Sequence, residues 1–154
     1  MINTLIEHQR LAILFAETLQ RLSEEDWRKV IVPEKWTVAE VMGHFRYWDN
    51  FLLTKRVPLF FTTQQFEPSP NVDLINEQPA AYARVTEKDK VLAEFIIHRQ
   101  QIVEQLLTFS QVQWSTMLKI GSTELNVLQY FIGQMVHDLQ HFEQIDQALH
   151  KNVS

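Results

Sequence analysis

The amino-acid sequence predicts an all-α protein, a four-helix bundle of up-down-down-up topology. Apolar residues recur at helical spacing in four long segments, and no segment alternates apolar and polar residues over a useful strand length. A long proline-containing connection separates the second and third segments. It is long enough to cross over along the bundle, so that helices two and three run parallel.

The first two helices are predicted for residues 2–22 and for the segment after Thr37. Residues 2–22 contain neither glycine nor proline, whereas acidic turn formers and a proline interrupt the period in the connector 23–36. Thr37, followed three residues later by Glu40, has the pattern of a capping box. Helix two is therefore expected to begin here and to end before Pro58.

The segment 57–85 is expected to form the crossover. It contains four prolines, and its one helical feature is a short turn around 80–83. A connection this long is unusual in a compact domain, and the return along the bundle explains its length. Phe60, Phe61 and Phe66 are expected to pack this segment onto the bundle rather than to form a binding patch.

The third and fourth helices have weaker start signals. Thr86, with Asp89 three residues later, resembles a helix start, so helix three is predicted from Thr86 to near Ser110. A shorter connector leads to Ser122 and Thr123, which are predicted to cap helix four. This helix is expected to run to the end of the chain.

Composition narrows the classes of function. The length of 154 residues matches one domain, assigned to 1–154. The sequence contains no cysteine, so any metal must be held by nitrogen and oxygen ligands. With 19 acidic and 14 basic side chains and no basic run, nucleic-acid binding is not expected. Neither an export signal nor a membrane-spanning run is indicated, so a cytoplasmic protein without membrane contact is predicted.

His137 and His141 lie four residues apart in the last predicted helix. This spacing places both imidazoles on one helix face, one turn apart, where both can bind one metal ion. A zinc-type site needs at least three protein ligands. Because helices two and four run in opposite directions, His44 and His141 are both expected roughly 10–12 Å from the same end of the bundle. His44 is therefore the candidate third ligand.

Structural roles are the alternatives to metal binding and catalysis. Histidines at helix margins are common, and His98 is expected to be structural rather than a fourth ligand. Arg99 falls within the apolar stripe of helix three, where an unpaired guanidinium would be costly. Arg99 is expected either to pair with a carboxylate such as Glu40 or Asp49, or to bind an anion beside the metal.

Three parts of the sequence resemble the DinB-like (DNA-damage-inducible) superfamily. Residues 36–44, Trp-Thr-Val-Ala-Glu-Val-Met-Gly-His, resemble its Trp-Ser/Thr-x-x-Glu-x-x-x-His segment. Residues 137–145, with the pattern His-Asp-x-x-His-x-x-Gln-Ile, resemble its C-terminal signature. Arg99 resembles an arginine often found between the two segments. The resemblance spans essentially the whole chain, including the helix order and the long second connection.

The resemblance implies a metal-binding bundle that is frequently a homodimer. By position, His44, His137 and His141 would hold a divalent ion, with zinc or nickel expected. Characterised relatives include thiol-dependent S-transferases and a thiol-dependent maleylpyruvate isomerase, and others are labelled metal-dependent hydrolases. The family name refers to induction by DNA damage and does not imply DNA binding.

Two reactions on a small-molecule substrate fit an open three-histidine site. In the first, a low-molecular-weight thiol loses its proton on the metal and attacks an electrophile. In the second, the ion activates water. Hydrolysis normally needs a nearby base, and the sequence has no His-Glu-x-x-His arrangement, while Asp138 should point away from the site. Thiol transfer is therefore ranked first, with Trp48, Phe51 and Arg99 as candidate substrate-binding residues.

The third hypothesis is a bundle without catalysis, with or without a bound metal, that acts in a stress response or as a dimeric interaction module. No sequence feature excludes it. A cleft open over the metal site would favour an enzyme, and a closed shell would favour a structural role.

Overall fold

The computed structural model describes residues 1–32 and 36–150. Pro33 of the predicted connector and residues 151–154 of the predicted domain lie outside the described residues. Along the chain the elements are α1 (Ile2–Leu19), α2 (Glu24–Trp27), β1 (Val30–Val32), β2 (Trp36–Thr37), α3 (Val38–Phe51), α4 (Val72–Val85), α5 (Lys88–Thr108), α6 (Gln111–Trp114), β3 (Met117–Ile120), β4 (Thr123–Asn126) and α7 (Val127–His150). A π-helical turn (Leu52–Arg56) and a 3-10 turn (Val57–Leu59) extend α3.

Side-chain contacts fix the directions of the four long helices. Arg46 of α3 pairs with Glu94 of α5, and Asp49 pairs with Arg99. Residue numbers rise together along both helices, so α3 and α5 are parallel, as the crossover predicted.

The other long helices, α1 and α7, are also parallel to each other. His8 bonds to Asp138, and Phe15 packs against Phe142 at a ring-centroid distance of 4.5 Å. On α7, Asp138 meets Asp49 of α3 at Arg99, and the Phe142 ring lies 5.4 Å from the Phe45 ring. Residue numbers rise along α7 as they fall along α3, so these two helices are antiparallel. These directions confirm the predicted up-down-down-up four-helix bundle.

The core of the described chain has two apolar clusters with a polar layer between them. One cluster joins the later part of α1 to the start of α3 and contains Trp27, Phe45 and Phe95. The other joins the start of α1 to the end of α5 and contains Phe60 and Phe131. In the described part of the chain, no helix is both long and apolar enough to cross a membrane.

The capping box that predicted the start of α3 is present. The Thr37 hydroxyl accepts a hydrogen bond from the Glu40 backbone N–H at 3.1 Å, and the Glu40 carboxylate reaches back to the Thr37 backbone. This cap fixes the first turn of the helix that carries His44, two turns further on.

The expectation of a crossover with only a short helical turn is wrong, because α4 occupies half of it. Pro79 interrupts the sequence pattern, but buried Ala80 and Ala83 pack this helix against α3. Tertiary packing here outweighs the helix-breaking tendency of proline. As predicted, Phe60 is buried on the bundle, whereas Phe61 is exposed.

The predicted caps of the last two long helices are also wrong. Thr86 donates its hydroxyl hydrogen to the Tyr82 carbonyl oxygen at the end of α4, and Glu87 is the N-cap of α5. The last helix begins at Val127, and Asn126 caps it. The Asn126 side-chain oxygen accepts from the Gln129 backbone N–H, and the Gln129 side-chain oxygen accepts from the Asn126 backbone N–H, both at 2.8 Å.

The predicted cap residue Thr123 instead belongs to a short hairpin that the sequence analysis did not expect. In this hairpin β3 pairs antiparallel with β4, and Gly121 adopts a positive φ of 63° in the turn. A second short antiparallel pair joins β1 to β2. Both pairs are too short to produce a readable alternation in the sequence.

Gly43 is expected to be required for the contact between α3 and α4. A Cβ atom at this position would lie 2.9 Å from both the Ala83 Cβ and the Pro79 carbonyl oxygen. Gly43→Ala should therefore lower the free energy of unfolding by about 1–3 kcal/mol, measured by urea denaturation. The control is Gly133→Ala in α7, where a Cβ has open space and should stabilise by about 0.5–1 kcal/mol. Equal effects of the two substitutions would contradict the close contact.

Candidate metal centre

Three histidines from two helices converge near the bundle surface. His44 comes from α3, and His137 and His141 come from successive turns of α7. One ligand atom of each lies within 4.8 Å of the others. His44 is buried, His141 is half-buried and His137 is exposed. The structure thus brings together the three residues that the sequence analysis selected, at one level of the bundle.

The tautomer of His44 follows from its hydrogen bonds. The Trp48 indole N–H donates to Asn76 Oδ1 at 2.9 Å. Because an indole nitrogen only donates, this Asn76 atom must be the carbonyl oxygen. The same oxygen lies 3.0 Å from His44 Nδ1, so Nδ1 carries the proton and donates. The Nε2 atom of His44 therefore has a free lone pair.

The donor set suits a divalent transition metal. His141 Nδ1 lies 3.1 Å from Gln144 Oε1, which favours the same tautomer as in His44. Hydrogen bonds from the second ring nitrogen to a carbonyl oxygen are the usual support of metal-binding histidines. Imidazole ligands suit zinc, nickel, copper and iron, whereas calcium and magnesium prefer oxygen ligands.

The histidines are held in the form that binds metals. Burial, together with the neighbouring His137 and His141, lowers the pKa of His44 to about 3. Burial also lowers the pKa of His137 and that of His141. All three imidazoles are therefore neutral at pH 7, and no proton has to be displaced before a metal binds.

Aromatic side chains surround the cluster. The Trp36 ring lies 4.8 Å from the His44 ring and 6.2 Å from the His141 ring. The Phe45 ring approaches His137 and His141 edge-on, at 5.9 and 5.5 Å. These rings pack against the imidazoles, with Phe45 buried in the core and Trp36 half-buried.

A cavity of about 320 Å³ opens beside the cluster, and His137 lies in its wall. Trp48 and Phe51, two of the predicted substrate-binding residues, also line it. The remaining wall residues are Phe45, Asp49, Leu52 and Arg56 of α3 and its extension, Ser69, Ile120 of β3, and Tyr130, Gln134 and Asp138 of α7. This volume suits a small organic molecule.

Arg99 lies at the centre of the polar layer and is fully buried. Its guanidinium makes two hydrogen bonds to Asp138, at 2.5 and 3.0 Å, one to Asp49 at 2.7 Å and one to Gln9 at 3.0 Å. His8 Nε2 adds a contact of 2.8 Å to Asp138. Of the alternatives for Arg99, the structure shows an ion pair with Asp49, and adds Asp138 as a second partner.

The network gives its two carboxylates different acidities. Burial alone would raise the pKa of Asp138, but the Arg99 guanidinium and the hydrogen bond from His8 outweigh burial and lower it to about 2. Burial dominates at Asp49 and raises its pKa to about 6, against the opposing effect of Arg99. Asp138 is thus a fixed anion, whereas Asp49 titrates closer to neutral pH.

Other predicted residues lie apart from the cluster. Asp138 turns away from the histidines toward Arg99, as its position between His137 and His141 predicted. Glu40 bonds to Thr37 and Arg84 rather than to Arg99. His98 is half-buried on α5 and is not among the three clustered histidines.

Sequence reasoning missed Asn76, which orients both His44 and Trp48. Asn76 belongs to α4, within the segment treated as an irregular crossover. An asparagine carries no local signal of such a role. The role of Asn76 could have been predicted only if α4 had been identified as a helix that packs on α3.

Comparison with known proteins agrees with the fold. The model of the DinB superfamily matches residues 8–145. Among solved structures, YfiT from Bacillus subtilis superposes with a TM-score of 0.82 over 97% of this chain and 86% of its own, at 11% sequence identity. It is described as a probable metal-dependent hydrolase with an unusual four-helix bundle topology. No curated protein matches the chain.

The low pKa of His44 should make the metal-free protein less stable in acid. Below pH 6.5 the unfolded chain protonates His44, whereas the folded chain does so only near pH 3. The free energy of unfolding therefore falls as the pH drops through this window, by about 2 kcal/mol between pH 7 and pH 5 from His44 alone.

The measurement is urea denaturation in EDTA at pH 7 and pH 5, on the natural protein and on His44→Phe. The variant should lose less stability between the two pH values. Asp49 contributes in the opposite direction, because its raised pKa gives stability that is lost as the pH rises through 6. That contribution is common to both proteins and cancels in the comparison. An identical pH dependence would contradict the buried, neutral state of His44.

Removal of the Arg99 charge should destabilise the bundle strongly. Arg99→Met leaves Asp49 and Asp138 buried without their cation, and we expect a loss of at least about 3 kcal/mol in the free energy of unfolding. Lys55→Met is the control, since Lys55 and Glu67 form an exposed pair at 3.5 Å that should contribute less than about 1 kcal/mol. Similar losses in the two variants, measured by chemical denaturation, would contradict the proposed importance of the network.

Proposed function

The chain belongs to the DinB superfamily, and on that basis we propose that it binds one divalent metal ion through His44, His137 and His141 and acts as a metal-dependent enzyme. The observation that carries the proposal is the convergence of three neutral imidazoles beside a cavity of about 320 Å³. A cavity that reaches one of the three histidines, His137, supports catalysis on a small molecule over a purely structural metal.

A bound zinc or nickel ion would lower the pKa of a coordinated thiol or water molecule and make it a nucleophile at neutral pH. The protein contributes the remaining parts of the site. Asn76 holds His44 with its Nε2 atom free, and Trp36 and Phe45 pack against the imidazoles. Trp48 and Phe51 form an apolar wall that can position an electrophilic substrate.

We propose thiol transfer as the reaction. A low-molecular-weight thiol would form a bond from its sulfur to an electrophilic carbon, lose its proton to solvent and displace a leaving group. The reason lies in the carboxylates of the cavity wall. Arg99 engages both oxygens of Asp138 and one oxygen of Asp49, which disfavours the use of either carboxylate as the base for water. A coordinated thiol is acidic enough to need no such base.

Hydrolysis is the second candidate. YfiT, which shares the fold, is described as a probable metal-dependent hydrolase. Asp49 also lines the cavity, and its pKa of about 6 is close to the range in which a carboxylate can exchange protons during catalysis. In this version Asp49 would accept the proton from the attacking water.

Metal content tests the site itself. Protein purified without an affinity tag, loaded with zinc or nickel and freed of excess ion should contain about one ion per chain by elemental mass spectrometry. His44→Ala and His137→Ala should each lose this ion, because two imidazoles do not hold it tightly. The control, His98→Ala, should retain it. Full metal content in either ligand variant would refute the assigned triad.

Paired assays separate the two reactions. Thiol transfer predicts that the loaded protein consumes 1-chloro-2,4-dinitrobenzene only when a low-molecular-weight thiol is present. Hydrolysis predicts cleavage of 4-nitrophenyl acetate without thiol, and a loss of that activity in Asp49→Asn. Either activity should disappear in His137→Ala.

A further inference from the structure

Arg56 is a buried cation in the cavity wall that pairs with none of the described carboxylates. Only 2% of the residue is exposed. Its guanidinium donates to the Glu67 carbonyl oxygen at 2.7 Å and to the Ser69 hydroxyl at 2.9 Å, both neutral acceptors. Among the described side chains, which do not include those of Glu34 and Asp73, no carboxylate forms an ion pair with it. This contrasts with Arg99, which two carboxylates neutralise.

A buried charge without a counter-ion is unfavourable, and proteins normally pair such groups. Aromatic rings compensate for part of this cost at Arg56. The guanidinium carbon lies 4.8 Å from the centre of the Phe51 ring and 5.5 Å from that of Phe66. These contacts orient the guanidinium but bring no negative charge. An anion that enters the cavity would supply it.

Tyr130 adds a second hydrogen-bonding group at the same end of the cavity. Burial raises the pKa of Tyr130, against the opposing effect of the Arg56 guanidinium beside it, so the phenol keeps its proton at neutral pH. A neutral phenol next to a guanidinium can donate to the oxygen of an anion. Ser69, at the exposed edge of the cavity, carries a hydroxyl that can do the same.

This polar end lies apart from the clustered histidines along α7. Tyr130 precedes His137 by seven residues on α7, which corresponds to roughly 10 Å along the helix. The cavity is lined mainly by apolar side chains, among them Trp48, Phe51 and Ile120, although Gln134 lies between Tyr130 and His137 on α7. A ligand that fills the cavity would therefore have an apolar body with its charged group at the end away from the metal ligands.

We infer that Arg56, Tyr130 and Ser69 form a carboxylate-binding position, and that the natural substrate carries a carboxylate roughly 10 Å from its reacting atom on an apolar body. One guanidinium balances one negative charge, and the carboxylates of Asp49 and Asp138 in the same wall disfavour a dianion such as a phosphate ester. The role of this ligand as a substrate rests on the proposed function, whereas its binding does not.

The test is calorimetric titration of the metal-free, full-length protein with 6-phenylhexanoate. The absence of metal removes carboxylate binding to an ion at the histidines. The carboxylate should bind at least about tenfold more tightly than the neutral 6-phenylhexanamide, as charge-assisted hydrogen bonds require. Arg56→Met should remove this preference, and Tyr130→Phe should weaken carboxylate binding about threefold or more.

Arg28→Met is the matched control. Like Arg56, the Arg28 guanidinium donates to main-chain carbonyl oxygens, those of Ala83 and Thr86, but it also pairs with Glu24 and does not line this cavity. This variant should keep full carboxylate binding. If Arg56→Met does not fold, as judged by circular dichroism, the amide comparison and Tyr130→Phe still decide the question.

Three results would overturn the inference. They are equal affinity for acid and amide, no binding of the acid by the natural protein, and unchanged binding of the acid in folded Arg56→Met or Tyr130→Phe. Tighter binding of the matching phosphonate dianion would overturn the assignment to a monocarboxylate. Metal binding without carboxylate binding refutes this position alone, and carboxylate binding without metal binding refutes the proposed function alone.

Discussion

The rest of the structure depends on the ion-pair network of Arg99. The guanidinium connects α5 to α3 through Asp49, to α7 through Asp138 and to α1 through Gln9. All four long helices therefore meet at one buried cation, between two apolar clusters that would tolerate small rotations of a helix. Because a buried ion pair requires specific atoms at specific distances, the network fixes the rotation and level of each helix.

This fixed rotation also positions the metal ligands. Asp138 faces the centre of the bundle, so His137, its neighbour in sequence, projects about 100° away, toward α3. His141 follows one turn later on the same side. On α3, Asp49 faces Arg99, and His44 lies about one and a half turns earlier, level with the histidine pair. The polar layer thus orients a site to which it contributes no ligand.

The sequence was informative where the chemistry is local or follows a helical repeat. Thr37 and Glu40 identify a helix start because a capping box needs only four consecutive residues. The agreement in level of His44 with His141 follows from helical rise and helix direction alone. The rotation per residue of a helix also predicted that Asp138 points away from the metal site. Its pairing with Arg99 could not be predicted, because it depends on how α5 packs against α7.

Features that depend on tertiary contact were not predictable. Pro79 concealed α4, whose stability comes from the alanines packed near Gly43 rather than from helix propensity. Asn76 was missed for the same reason, since it reaches His44 only because α4 lies on α3. That none of the described carboxylates pairs with Arg56 is likewise a property of the folded cavity, as the sequence places acidic residues such as Glu67 nearby in the chain.

The central claim is that His44, His137 and His141 bind one metal ion, with Asn76 fixing the His44 tautomer. The most direct test is a crystal structure of the zinc-loaded protein with anomalous diffraction data at the zinc edge. We expect one anomalous peak among the three imidazoles, from an ion bonded to His44 Nε2 while Nδ1 still donates to Asn76. No peak at this position under saturating zinc, or coordination through Nδ1 of His44, would contradict it.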